Sequence, residues 1–118
     1  MLKVHAKNLE TVTVLYLEGR IVTGETEPLQ NGMPYLEGKR EVILDLTRVT
    51  TVDAHGLGVL LQLREQALVN GARLKLMNVS NPIHQVLEIT HLDSVFPTVT
   101  GVEFFPIVSI NRRAPVAA

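Results

Sequence analysis

The chain has 118 residues, of which 46% are hydrophobic and 19% are charged, so it suits one domain with its own core and excludes a wholly disordered protein. A formal net charge of -1 and the absence of tryptophan remove the basic surface and the stacking platforms that would indicate nucleic-acid binding. The absence of cysteine excludes disulfides and thiolate metal sites, and we expect a reducing, cytoplasmic location.

The N-terminal part of the chain contains two β-rich runs. Residues 4–7 and 12–18 are separated by a polar corner at residues 8–11, which predicts a hairpin-like pair closed by Gly19-Arg20. The first residues lack the long apolar run of a signal peptide or a membrane helix, so we expect neither.

The next segment changes from irregular to strongly apolar. Residues 24–40 carry closely spaced glycines and prolines, which predict a mostly irregular segment with at most a short helix at residues 25–30. Residues 41–46 are nearly continuous in apolar residues, as in a strand covered on both faces. We predict a central strand there, followed by a turn at residues 47–52.

The middle of the chain has the pattern of a strand–helix–strand unit. Asp53 stands where a helix cap belongs, and leucines follow at helical spacing up to Asn70-Gly71, so we predict a helix at residues 54–69. Residues 74–77 form the next predicted strand. The crossover between the two strands predicts that they run parallel.

A second helix and a short edge strand are predicted after this unit. Ser80 or Asn81 caps the helix, Pro82 lies in its first turn, and it ends at residues 91–92. Its predicted buried stripe consists of Ile83, Val86, Leu87 and Thr90. Residues 95–99 favour the edge strand, and we expect a single domain over residues 1–110 with a disordered tail at residues 111–118.

The sequence resembles the STAS domain of bacterial anti-sigma factor antagonists. That family has an apolar strand ending in Asp-Leu, matched by Asp45-Leu46, and then Asp-Ser-Ser/Thr-Gly-Leu-Gly opening a helix. The corresponding residues here are Asp53, Ala54, His55, Gly56, Leu57 and Gly58. The likeness continues through residues 71–96, with an echo at residues 19–22. It implies an α/β STAS fold, a mixed sheet of four to five strands with helices packed against it.

The resemblance also implies a non-enzymatic function in transcription regulation. Family members bind an anti-sigma factor that is also a serine kinase, through the helix N-terminus at residues 53–58. The partner phosphorylates the serine after the aspartate, and the phosphoryl group, with about -1.5 to -2 charges, releases the complex. Ala54 stands at that position and has no oxygen to accept phosphate, so the resemblance implies a protein that is not switched there.

Individual residues of this motif allow alternative interpretations. Asp53 is expected to cap the helix rather than act as a metal or catalytic carboxylate, and His55 to be a contact residue rather than a base or a phosphohistidine. Gly56-Leu57-Gly58 lacks the third glycine of a dinucleotide-binding loop, which argues against nucleotide binding. Gly56 and Gly58 are expected instead to let the helix start close to its neighbours. The histidines show no ligand spacing, and we predict no metal and no cofactor.

Two other functions remain open at this point. A STAS subunit of an ABC transport complex for lipids or small molecules would use the same surface without needing a serine. A stressosome-like scaffold or ligand sensor would self-associate, and the apolar residues 104–108 would support a homodimer or pack within the domain. No membrane insertion is expected for any of these functions.

Overall fold

The computed structural model describes residues 1–31 and 36–101. Within these ranges the chain forms five strands, which make one sheet, and three helices. In chain order the elements are β1 (Lys3–Leu9), β2 (Val12–Ile21), α1 (Glu27–Asn31), β3 (Glu41–Val52), α2 (Ala54–Val69), β4 (Arg73–Met77), α3 (Asn81–Ile89) and β5 (Thr98–Val99).

The sheet is mixed, and its strands lie side by side in chain order, β1-β2-β3-β4-β5. The first two strands form an antiparallel hairpin, with Lys3 opposite Glu18 and Leu9 opposite Val12. All other neighbours are parallel. The carboxyl ends of β2, β3 and β4 therefore lie at one edge of the sheet, so the loops that follow these strands lie close together there. The predicted α/β class with a mixed sheet is confirmed.

The main core lies between one face of the sheet and the three helices. Side chains from alternate positions of the central strands pack there against helical leucines and isoleucines, because a strand sends successive side chains to opposite faces. The fully or almost fully buried members include Leu15, Leu44, Leu46, Leu76, Leu29, Leu60, Leu63, Ile83 and Leu87. A smaller cluster of Val14, Ile43 and Met77 lies on the opposite face, which we call the second face.

Strand β3 is twice as long as the sequence predicted. We expected a turn at residues 47–52, but β3 continues to Val52. That prediction was wrong because the exposed residues 47, 48, 50 and 51 look like loop in isolation, while Val49 and Val52 are buried. The extension pairs with the end of β2, from Glu18↔Arg48 to Ile21↔Val52, and tertiary pairing therefore overrides the local polarity.

The helices agree more closely with the predictions. Helix α2 has the predicted bounds, and α1 is the predicted short helix. Helix α3 begins as predicted but ends at Ile89, and Thr90 is exposed rather than part of the buried stripe. No helix in the described ranges is long and apolar enough to cross a membrane.

The end of the described chain departs from the prediction in one respect. The edge strand contains only Thr98–Val99, and Phe96 is fully buried in the main core instead of pairing in the sheet. The expectations for the apolar residues 104–108, for the domain end at residue 110 and for the tail at residues 111–118 lie outside the described residues.

Candidate functional site at the N-terminus of helix α2

Asp53 connects three segments at the carboxyl edge of the sheet. Its backbone is extended (φ -102°, ψ -176°), and its carbonyl oxygen accepts the first helical hydrogen bond from the Leu57 N–H at 2.9 Å. The side-chain oxygen Oδ1 accepts a hydrogen bond from the Gly56 N–H at 2.8 Å. Oδ2 accepts from both the N–H of Thr23 at 2.9 Å and its hydroxyl at 3.0 Å. The predicted capping role is confirmed, and the same carboxylate also fixes the loop after β2.

These donors set the ionisation of Asp53. The backbone N–H of Thr23 and then that of Gly56 lower the pKa of Asp53 below its ordinary value of 3.8, and the Thr23 hydroxyl and the nearby His55 act in the same direction. Partial desolvation opposes this effect without reversing it. The carboxylate is therefore charged at neutral pH, and both of its oxygens are already engaged by neighbours, as a structural cap requires.

Only part of the predicted binding segment reaches solvent. Ala54, His55 and Gly58 are exposed, and Asp53 is half-buried. Gly56 and Leu57 point into the protein, where Leu57 is 7% exposed and belongs to the main core. The exposed surface that α2 presents at its N-terminus is therefore formed by Ala54, His55 and Gly58, and a partner would meet the methyl group of Ala54 in the first turn.

His55 has a partner that the sequence analysis did not identify. Its Nε2 lies 3.2 Å from Oγ1 of Thr26, which is 3% exposed. The carbonyl oxygen of Thr26 accepts from the backbone N–H groups of Leu29 and Gln30, both at 3.0 Å, so Thr26 lies at the start of α1. The imidazole thus connects the beginnings of α1 and α2 while remaining exposed to solvent.

Thr23 and Thr26 were missed because Thr23 directly precedes, and Thr26 lies in, the segment at residues 24–40 that the sequence predicted to be mostly irregular. Their separation from Asp53 and His55 is about thirty residues along the chain. Strand pairing could have located them, because two adjacent parallel strands place the loops that follow their carboxyl ends side by side. The prediction of that pairing for β2 and β3 would have placed the two threonines beside the cap.

The two glycines of the motif have different structural roles. A Cβ atom added to Gly56 would lie 1.9 Å from the carbonyl oxygen of Ile21, so no side chain fits between α2 and the end of β2. A Cβ atom added to Gly58 would meet nothing within 4 Å. The expectation that glycine permits close approach of the helix is confirmed for Gly56 and wrong for Gly58.

Metal ligands are not brought together in this part of the protein. Within the described ranges, no group of three or more His, Cys, Asp or Glu side chains has the geometry to hold a metal ion. His55 is paired with a threonine, and His84 lies 3.7 Å from Glu88 on the exposed side of α3.

The fold and the capped helix end define a small α/β protein with an exposed helix N-terminus at the edge of a mixed sheet. The sequence matches the STAS domain over residues 3–105. The chain belongs to the STAS domain family.

Solved structures with the same fold come from several kinds of protein. An anti-sigma factor antagonist from Mycobacterium paratuberculosis has a TM-score of 0.68 at 18% identity, over 83% of this chain and 85% of that one. The phosphorylated form of the Bacillus cell fate determinant SpoIIAA has a TM-score of 0.64 at 20% identity, over 90% and 99%. A sulfate transporter family protein from Wolinella succinogenes has a TM-score of 0.68 at 21% identity, over 85% and 86%. The TM-scores establish a shared fold, and at these low identities the likeness shows the fold alone.

Proposed function

We propose that the protein is a non-enzymatic regulator that binds an anti-sigma factor of the serine-kinase type through the N-terminus of α2. The contact surface consists of Ala54, His55 and Gly58, with Asp53 holding it in place. The single observation that carries the proposal is this exposed helix end, where the Asp53 carboxylate accepts one hydrogen bond from the helix backbone and two from Thr23 in the loop after β2. A rigid surface loses little conformational freedom when a partner binds.

Two features support a protein partner rather than a reaction at this site. The carboxylate of Asp53 is engaged by donors from its own chain, and the hydroxyl of Thr26 is buried. Ala54 and Gly58 are small and exposed, so the backbone of a partner can approach the first turn of α2 closely. Solved proteins of this fold include named anti-sigma factor antagonists.

Ala54 makes this surface insensitive to the switch that the family uses. A phosphoserine at this position would place about two negative charges beside the ionised Asp53 and in the centre of the contact surface. Alanine presents a methyl group instead, which cannot be phosphorylated. The charge at position 54 therefore stays unchanged while the partner's kinase is active. The protein is therefore a constitutive antagonist.

The test is an affinity capture from the native cell extract with the intact chain, followed by mass spectrometry. We expect recovery of a protein with a kinase-type ATP-binding domain, and we expect Ala54→Asp to abolish the recovery. Aspartate is favourable at the first position of a helix, so a loss of binding would not reflect loss of folding. Gln85→Asp, on the exposed side of α3, introduces the same charge elsewhere and serves as the matched control.

A different partner would favour the second candidate, a STAS subunit of an ABC transport complex. This function needs no serine at position 54, and the likeness to the Wolinella protein shows that the same fold occurs in a sulfate transporter family. Recovery of a transport ATPase would establish it and overturn the antagonist proposal. Recovery of further copies of the same chain alone would favour a self-associating scaffold.

A further inference from the structure

A polar cleft lies on the second face of the sheet, opposite the helices. Its volume is about 350 Å³, and its floor is formed by β1, β2 and β3. Tyr16, whose side chain lies in the cleft, packs against the Val14, Ile43 and Met77 cluster, which places the cleft on that face. Side chains of α2 belong to the main core on the other face, so the cleft is separate from the proposed docking surface.

The cleft is lined by two rows of side chains that cross the three strands. In each row the residues are partners in the sheet register, so the rows are fixed by backbone pairing rather than by side-chain contacts. The rows are His5, Tyr16 and Asp45, followed by Lys3, Glu18 and Arg48. The His5 and Tyr16 rings lie 6.5 Å apart, which provides an aromatic wall beside the charged groups.

A β-bulge between the two rows contributes to the lining. Tyr16 and Glu18 are two residues apart on β2, while their partners on β3, Asp45 and Arg48, are three residues apart. Strand β3 therefore contains one additional residue here. Thr47 shares the face of Asp45, as in a regular strand, and the additional residue turns Arg48 to that face as well, although neighbouring residues of a regular strand face opposite ways. Bulges that redirect side chains in this manner are common beside binding sites.

The charged groups of the second row have no partners of their own. In the described part of the chain, Lys3, Glu18 and Arg48 make no ion pair within 4.0 Å and no side-chain hydrogen bond. Opposite charges on the same face do pair elsewhere, since Lys75 Nζ lies 2.7 Å from Glu41 Oε1. The cleft therefore holds two cations and one carboxylate that remain available to a ligand.

Asp45 supplies a second carboxylate with a fixed orientation. Its Oδ1 accepts hydrogen bonds from the backbone N–H of Thr47 at 3.1 Å and from the Thr47 hydroxyl at 2.6 Å. The Asn78 amide donates to the same oxygen at 3.4 Å and, at 3.1 Å, to the Thr47 hydroxyl. These contacts hold the carboxylate at the wall of the cleft, while no described donor engages its Oδ2.

We propose that this cleft binds a small zwitterion of amino-acid size, with a carboxylate and an ammonium group. Arg48 receives the carboxylate of the ligand, and Glu18 and Asp45 receive its ammonium group, while Lys3 lies on the other side of Glu18. The side chain of the ligand lies against the rings of Tyr16 and His5. The volume of the cleft is at the small end of ligand sites, which matches a molecule of this size.

The balance of charge selects this class of ligand. An anion alone would leave the carboxylates of Glu18 and Asp45 unpaired and close to its own charge, and a cation alone would do the same with Lys3 and Arg48. A ligand that carries both charges at once can place its carboxylate against Arg48 and its ammonium group against Glu18 and Asp45. Hydrogen bonds between charged groups are stronger than those between neutral groups. The planar guanidinium of Arg48 can donate two parallel hydrogen bonds to one carboxylate.

The test is an NMR titration of the full chain, labelled with nitrogen-15. Each of the twenty L-amino acids is added separately, up to millimolar concentration. For at least one amino acid we expect saturable shifts of the backbone amide signals of His5, Tyr16 and Arg48. Propionate and ethylamine, which each carry one of the two charges of alanine, are expected to give no saturable shift. Glu18→Gln and Arg48→Gln are each expected to weaken binding about tenfold or more.

Arg64→Gln is the matched control, because Arg64 lies on α2 and its only described ion pair is with the exposed Glu65. Binding by this variant is expected to equal that of the unsubstituted chain. The proposal is overturned if no amino acid gives a saturable shift, if propionate or ethylamine binds as tightly as the amino acids, or if Arg64→Gln weakens binding as much as Arg48→Gln. Saturable shifts confined to α2 would also overturn it.

Discussion

At the scale of single residues, Asp53 determines the geometry of the candidate site. One carboxylate caps α2 through Gly56 and holds the loop after β2 through Thr23. His55 adds a second connection, from α2 to Thr26 at the start of α1. Ala54 lies between these two side chains and makes no polar contact of its own, so it can present its methyl group to a partner without disturbing the connections.

The low pKa of Asp53 predicts a pH dependence of stability. Because folding lowers this pKa, the ionised carboxylate stabilises the folded state at pH values above the ordinary pKa, near 4, and this stabilisation is lost as the pH falls further. Asp53→Asn removes the charge and keeps the shape. Urea unfolding is expected to show a deficit for the variant at pH 7 that shrinks toward about pH 3. An equal deficit at both pH values would contradict the assigned cause.

The two glycines of α2 predict opposite effects of the same substitution. Gly56→Ala forces a methyl group against the carbonyl of Ile21, and we expect a loss of about 1–3 kcal/mol or more in the free energy of unfolding. Gly58→Ala has open space, and we expect a gain of about 0.5–1 kcal/mol from helix propensity. Chemical denaturation of both variants measures the difference. Equal effects would show that the close contact with β2 does not constrain Gly56.

At the scale of secondary structure, the strongest periodic patterns, the β1–β2 hairpin and the parallel pairing of β3 with β4 were predicted well, and the pairing of β2 with β3 was not. The leucine spacing, the Asp53 cap and the Asn70-Gly71 stop gave the bounds of α2, because caps and stops are local signals. The second half of β3 was missed because its exposed threonines look like a turn until β2 pairs with them. The bulge at Thr47 also depends on that pairing and has no local signal.

Helix α1 depends on its packing more than on its own propensity. It has five residues, too few to be stable in isolation, and it places Leu29 in the main core with no exposed surface. We expect Leu29→Ala to cost about 2–5 kcal/mol in the free energy of unfolding. Asn31→Ala, at the exposed end of the same helix, removes only an exposed hydrogen bond to Glu27 and is expected to change it by less than about 0.5 kcal/mol. Denaturant unfolding of both variants would contradict this account if the two changes were equal.

At the scale of the whole molecule, the sheet separates two surfaces. The proposed docking surface on α2 lies at the carboxyl edge of the parallel strands, and the cleft lies on the second face between β1, β2 and β3. The sequence predicted the first surface, because its motif is contiguous at residues 53–58. It did not predict the second, because the lining residues come from three strands and meet only through the sheet register.

The central claim is that the docking surface keeps its charge state, and the most direct measurement is the effect of ATP on the complex with the recovered kinase-type partner. We expect the unsubstituted chain to stay bound and unphosphorylated after addition of ATP and magnesium. Ala54→Ser is expected to become phosphorylated and to dissociate under the same conditions. Phosphorylation and release of the unsubstituted chain would contradict the claim, because the switch would then act through a residue other than the one at position 54.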